Sequence, residues 1–341
     1  MKAQRAITPI KNLQTLFEFQ NTTSSLSGII DSNTRFTISW GDGSTDTYNS
    51  GIGIFYSHTY SSVGTYNVKI LSYNKNALSR FWQFAGNVNF AVSDLPASVT
   101  NLFIASGNVS GSIGDFSANI STIEVRNNNT ISGDISTAPN QITTLYVSGN
   151  NTISGDIANM PTSCNYLYIT GNNTLSGDIA NVNSNTSYLL IWGNNTLSGD
   201  VSTLPSTLTN FWIIGNNTIT GDISTAPSGL VSYSLDGLNT LYGDVANIPA
   251  SVTYFSMGGN NTISDYTAGR VWASNINNIT ILPLSGGLSS TEVDDLLIDL
   301  SATTFSSPKL INISGINAAR TTASDAAVLS LQAQGVSVTT N

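Results

Sequence analysis

The chain is 341 residues long, room for two or three domains, and only 9% of it is charged. That is about a third of the usual charged share, yet 40% of residues are hydrophobic, which argues against a disordered chain. The net charge is -9, and residues 127–269 hold eight Asp with no Lys or Arg, so this stretch lacks the cations that nucleic-acid binding needs.

The first ten residues, Met1 to Ile10, carry Lys2 and Arg5 but no apolar h-region, so no secretory signal is expected there. Either a leader was removed and replaced by a new Met, or the protein leaves its cell by another route, of which release inside a virus particle at lysis is one. No stretch approaches the roughly 18–20 apolar residues of a membrane span, so membrane insertion is not expected.

Residues 1–75 read as an all-β domain with a short N-terminal arm. Leu16-Phe17-Glu18-Phe19, Phe36-Thr37-Ile38-Ser39-Trp40 and Thr65-Tyr66-Asn67-Val68-Lys69-Ile70 alternate apolar with polar residues, as half-buried strands do. Trp40 runs into Gly41-Asp42-Gly43-Ser44, followed by His58-Thr59-Tyr60 and Gly64-Thr65-Tyr66. In this order and spacing the segment resembles PKD domains, an immunoglobulin-like sandwich family. The resemblance implies a spacer or an adhesive module; contact with other virion proteins is a separate expectation for this N-terminal domain. Asp42 and His58 invite a catalytic reading; the structural one is preferred, with Asp42 capping a tight turn through its own backbone.

Residues 76–286 hold an N-terminal cap and a repeat. Gly111, Gly133, Gly155, Gly177, Gly199, Gly221 and Gly243 stand 22 residues apart. A fixed period of this size marks stacked coils, none of which can bury its apolar face alone. In one unit, Leu145 and Val147 flank Tyr146 as a short strand, and Ile153 and Ile157 point back inward. Gly155, Gly177, Gly199 and Gly221 are expected to supply turn conformations. Asn150, Asn172, Asn194 and Asn216 are expected to stack as an amide ladder that satisfies turning backbone. Pro139, Pro161, Pro205, Pro227 and Pro249 close successive units. The pattern Leu-x-Val-x-x-Asn, then Ile-x-Gly-x-Ile and Pro, resembles leucine-rich repeats, with one extra residue between the Asn and the following Ile. A three-faced parallel β-helix is the alternative; the short Pro-ended segment, not β-branched throughout, favours the leucine-rich form. The expected fold class is therefore mainly β: an immunoglobulin-like (PKD) sandwich, then a solenoid of about eight coils, then a cap.

Residues 287–341 form that cap as helix-strand-helix-strand. Ser289 with Glu292 makes a capping box, and Val293, Leu296, Leu297 and Leu300 form one helical stripe. Leu310 to Gly315 reads as a strand, Ala323 to Gln334 as a second helix stopped by Gly335, and Val336 to Thr339 as a final strand. Val293 to Leu300 and Val338 to Asn341 resemble the ends of repeat proteins in tailed bacteriophages and gut Bacteroidota. That resemblance implies a virion protein, with a bacterial cell surface as the alternative location.

Six aspartates, Asp134, Asp156, Asp178, Asp200, Asp222 and Asp244, recur in register. Asp156, Asp178 and Asp200 are candidates for a calcium row, but one carboxylate per coil is sparse, and turn-capping Asp is the preferred reading. Catalysis is not expected, because nothing singles out one Asp and an active site breaks a pattern. No cofactor is expected. Cys164, the single cysteine, rules out an internal disulfide and reads as a small apolar filler.

The outward strand positions carry the sharper signal. Thr144, Tyr166, Tyr188, Asn210 and Tyr254 form one column, Tyr146, Tyr168, Leu190 and Trp212 a second, and Ser148, Thr170, Trp192 and Ile214 a third. Tyr146, Tyr166, Tyr168, Tyr188, Trp192, Trp212 and Ile214 are thus expected to form an apolar patch that binds a partner. Aromatic platforms also stack on sugar rings. The expected function is non-enzymatic: a phage virion protein displaying a surface for attachment to a host glycan or surface protein. The alternatives are a purely structural capsid or tail decoration, with the patch covered by neighbouring subunits, and a bacterial adhesin.

Overall fold

The structure, a computed structural model, describes residues 13–341; the N-terminal segment read above for a signal lies outside them. The contacts divide the chain into two compact units. One holds the described residues up to Ser132 with Val147–Asn150, the other Gly133–Tyr146 with Asn151–Asn341.

The first unit begins with eight strands: β1 (Gln14–Asn21), β2 (Ser25–Ser32), β3 (Phe36–Ser39), β4 (Thr45–Tyr48), β5 (Gly51–Thr59), β6 (Tyr66–Ser72), β7 (Leu78–Ala85) and β8 (Val88–Ala91). They form two antiparallel layers, β4–β3–β6–β1–β8 and β5–β2–β7. Period-two alternation sends Phe17, Phe19, Phe36, Ile38, Val68 and Ile70 inward, all buried. The layers meet through rings: Phe17 stands edge-on to Phe81 at 5.1 Å, and Trp40 lies 6.3 Å from Tyr56.

The boundary expected at residue 75 does not hold. β7 and β8 lie beyond it and complete the layers by pairing with β2 and β1. The same two strands pair in parallel with Asn101–Ile104 and Gly107–Ser112, the first strands of coil type. A strand that serves both arrangements leaves no linker, so composition gives no mark there.

In the second unit the coils from Tyr166 to Asn247 each run strand, glycine, strand, then a 3-10 turn. Tyr166–Asp178 is one continuous strand before the turn Ile179–Asn181; the next coil splits into Tyr188–Gly193 and Thr196–Asp200 before Val201–Thr203. Successive first strands pair in parallel one period apart, Tyr188 with Asn210, Asn210 with Ser232 and Ser232 with Tyr254. Inside the coil from Tyr188 to Thr203, Leu189, Ile191, Leu197 and Val201 are fully buried, each side chain worth about 1.5–3 kcal/mol of apolar transfer. The chain is mainly β, and these coils stack in parallel as a solenoid.

The asparagine ladder is displaced by one residue from its expected place. Asn150, Asn172, Asn194 and Asn216 are exposed, whereas Asn151, Asn173, Asn195 and Asn217 are fully buried. The reason is parity. Leu145 and Val147 face inward, and the alternation continues unbroken through Gly149, Asn151 and Ile153, so the even-numbered Asn150 faces out. The extra residue thus lies before the ladder asparagine, not after it. Asn173 accepts the Ile153 N–H through Oδ1 at 2.9 Å and donates through Nδ2 to Trp192 O at 3.3 Å. Asn195, Asn217, Asn239 and Asn261 accept the corresponding N–H of the preceding coil.

Past the last coils, α1 (Ser290–Ser301) starts at the Ser289–Glu292 capping box and buries Val293, Leu296, Leu297 and Leu300. A strand, Phe305–Ile313, pairs in parallel with the final strand Ser337–Thr340. Between them α2 (Asp325–Ala333) starts two residues later than expected, after a 3-10 turn at Thr322–Ser324. The buried carboxylate of Asp294 draws in that turn by accepting from the Thr321 N–H and the Thr321 and Ser324 hydroxyls. Arg270 donates to the carbonyls of Ala246, Ile248 and Pro249, satisfying oxygens that the 3-10 turn leaves open.

Candidate binding face of the coils

Each outward column is set by the parallel register. Tyr166 pairs with Tyr188, Tyr168 with Leu190 and Leu190 with Trp212, while Trp192 pairs with Ile214. Of the seven expected patch residues, six are aromatic, and their rings meet. Tyr146 stacks on Tyr168 at 4.0 Å with 7° between planes, and Tyr166 on Tyr188 at 4.2 Å with 15°. Tyr168 lies 6.5 Å from Tyr188, and Trp192 lies parallel to Trp212 at 6.4 Å. Trp192 is the most open of them, 39% exposed, and Leu190 is sealed beneath its neighbours at 3%. Ile214 is half-buried beside Trp192.

Stacking between successive coils has a consequence for recognition. The tyrosine rings face one another along the coil repeat, so what they offer outward is ring edge and hydroxyl, not a flat face. The expectation of aromatic platforms for sugar rings therefore does not fit the tyrosine columns. Trp212 reaches across the neighbouring strand Ser232–Gly237 to Tyr254 at 4.6 Å, covering Ser232 and Ser234, which are 7% and 6% exposed. Small residues at those two outward positions make room for the rings above them. The Trp212 indole N–H is buried there without an acceptor, an arrangement that disfavours burial unless packing offsets it.

The opposite side of the coils is built from interlocked Asp and Gly. Asp156, Asp178 and Asp200 each accept the N–H two residues on, from Ala158, Ala180 and Ser202, and so cap their 3-10 turns. Each capping carboxylate lies against the glycine of the next coil: a Cβ on Gly221 would stand 2.6 Å from Asp200 Oδ1. Gly155, Gly177 and Gly199 sit against Asp134, Asp156 and Asp178 in the same way. Their φ angles of 104°, 106° and 114°, with 116° at Gly221, also disfavour any side chain. Among the described residues no group of three or more His, Cys, Asp or Glu is placed to hold a metal.

Asp42 and His58 come together as structure. Asp42 accepts from the Ser44 N–H and hydroxyl at 2.9 and 2.6 Å and pairs with His58 Nε2 at 2.7 Å. The Ser44 bonds first, then His58, bring the Asp42 carboxyl down to about 2. The His58 ring stacks on Trp40 at 4.7 Å, and the Tyr60 hydroxyl donates to Trp40 O. Because the Ser44 hydroxyl donates to the carboxylate and not to the imidazole, this is no nucleophile–base pair. Cys164 is buried, and desolvation pushes its thiol up to about 12.

A second aromatic cluster, on the first unit, was not anticipated. Trp82, Phe84 and Phe103 lie 5.8–6.2 Å apart on the outward side of β7 and its parallel neighbour. The Arg80 and Arg126 guanidiniums lie over Trp82 and Phe103. The signal was present: Phe103 lies between buried Leu102 and Ile104, as Tyr168 lies between Leu167 and Ile169.

No protein-family model matches the chain, and no curated protein does. Among solved structures it is similar to the plant peptide hormone receptor RGFR1 in complex with RGF2, at 20% identity and TM-score 0.46 over 65% of this chain and 38% of that one. It is similar also to the PEPR1–AtPEP1 complex, at 19% identity and TM-score 0.46 over 71% of this chain and 35% of that one. A plant ice-binding protein is matched at 17% identity and TM-score 0.36 over 59% of this chain and 76% of that one. The chain spans little more than a third of the length of the two receptor chains. With every TM-score below 0.5, the coil geometry above, and not these likenesses, defines the fold.

Proposed function

We propose that the protein is a non-enzymatic virion component whose coils dock a partner on the host surface through the stacked aromatic columns. The observation that carries this reading is two neighbouring sets of contacting rings, Tyr146, Tyr168, Tyr188 and Tyr166 in one and Trp192, Trp212 and Tyr254 in the other, open to solvent at Trp192. Tyr and Trp bury large areas at little entropic cost and dominate interface energies. The tyrosine rings present edges and hydroxyls, which favours a host surface protein over a sugar as the partner. The Trp40–Ser44, His58–Tyr60 and Gly64–Ile70 segments, set in two antiparallel layers, support a PKD-like N-terminal spacer joining this face to the particle.

The test is binding of the purified full chain to host cells. Trp192→Ala, the most exposed ring, is expected to weaken binding about tenfold or more. Asn172→Ala, exposed but off the aromatic face, is expected to leave binding unchanged. Undiminished cell binding by Trp192→Ala would refute the reading. If particle assembly weakened instead, the structural decoration would take its place.

A further inference from the structure

We propose that β5 is the pairing edge of a symmetric dimer, in which two copies of this chain join their β5 strands antiparallel. Only β2 pairs with β5 among the described residues, so its other edge presents a row of unpaired backbone donors and acceptors. Such a row is complementary to another strand and to little else. Proteins ordinarily blunt open edges with Lys, Pro, strong bulges or a covering segment. Residues 45–59, which make up β4 and β5, contain no Lys, Arg or Pro. The one irregularity is at Gly53, where φ is 68° and the N–H donates to Asp31. From Ile54 to Thr59 the register with β2 runs without a break.

The occupant is argued from charge and from exposed apolar surface. β5 contains no Asp, Glu, Lys or Arg, and its one histidine, His58, is paired with Asp42. Two copies laid antiparallel therefore set no like charges opposite one another. Phe55, 59% exposed, and Ile52, 85% exposed, lie on or beside this edge, and a two-fold pairing centred on Phe55 sets that ring opposite its own counterpart. The net charge of -9 makes whole copies repel at a distance. Added salt screens that repulsion, so this dimer tightens as ionic strength rises, opposite to an interface held by ion pairs.

The experiment is sedimentation velocity on the full chain across a concentration series at low and high salt. The expected result is a monomer–dimer equilibrium that salt strengthens. Phe55→Lys places a cation against its own copy and is expected to weaken the dimer about tenfold or more, whereas Val63→Lys, at another exposed position, leaves it unchanged. Circular dichroism melts check that both variants stay folded. If Phe55→Lys does not fold, oxidation of a Phe55→Cys variant replaces it, and is expected to crosslink copies faster than Val63→Cys. A chain that stays monomeric at every concentration overturns the proposal, as does a dimer indifferent to Phe55→Lys. So does a β5 edge that takes up a strand only from a different protein.

Discussion

Replacing Gly221 with Ala tests the interlock between coils. The new Cβ would stand 2.6 Å from Asp200 Oδ1, closer than real Cβ contacts come, and the backbone there holds φ at 116°. The backbone strain costs about 1–3 kcal/mol. If Asp200 swings away to relieve the clash, its bond to the Ser202 N–H, 2.9 Å long, is lost as well, at about 0.5–2 kcal/mol. The expected total is about 1.5–5 kcal/mol, read as a fall in urea midpoint by Trp fluorescence. Asp200→Ala alone is expected to lose only the cap. The double variant is expected to cost about as much as Gly221→Ala, because the carboxylate is already gone, so the two effects are sub-additive by about the worth of the cap. Gly43→Ala serves as a control: φ is 95° but nothing lies within 4 Å of its Cβ, so only the strain remains. Additive effects of Gly221→Ala and Asp200→Ala would refute the interlock.

Asn173→Ala is expected to destabilise by about 2–5 kcal/mol in the same assay, since it leaves the buried Ile153 N–H and Trp192 O unpaired; Asn172→Ala is expected to change stability by less than about 0.5 kcal/mol. A folded Asp42 carboxyl at about 2, against about 3.9 in an unfolded chain, contributes stability that is fully present above the unfolded value and lost as pH falls toward 2. Acid titration of the N-terminal layers, followed by Trp40 emission, is expected to lose part of its slope between about pH 4 and 2 in Asp42→Asn. Cys164, buried with its thiol pushed up to about 12, is expected to resist a thiol-specific reagent at pH 8 until denaturant unfolds the coils. Rapid labelling of the native chain would show that coil to open readily.

Much of the coil was legible in the sequence because a period of 22 and an alternation of two are properties of one strand and its own residues. Leu145, Val147, Ile153 and Ile157 could be assigned to the interior, and Tyr146, Tyr168 and Trp212 to the outside, from those rules alone. The same parity, carried through Gly149, would have chosen Asn151 over Asn150. What the period cannot state is which neighbour a residue meets in the adjoining coil. Only the tertiary structure set Asp200 against Gly221, turned the tyrosine faces onto one another, and let Trp212 close over Ser232 and Ser234. A repeat fixes that equivalent residues recur; the pairing offset between strands and the reach of each side chain decide the contacts, and both arise only when one coil packs on the next.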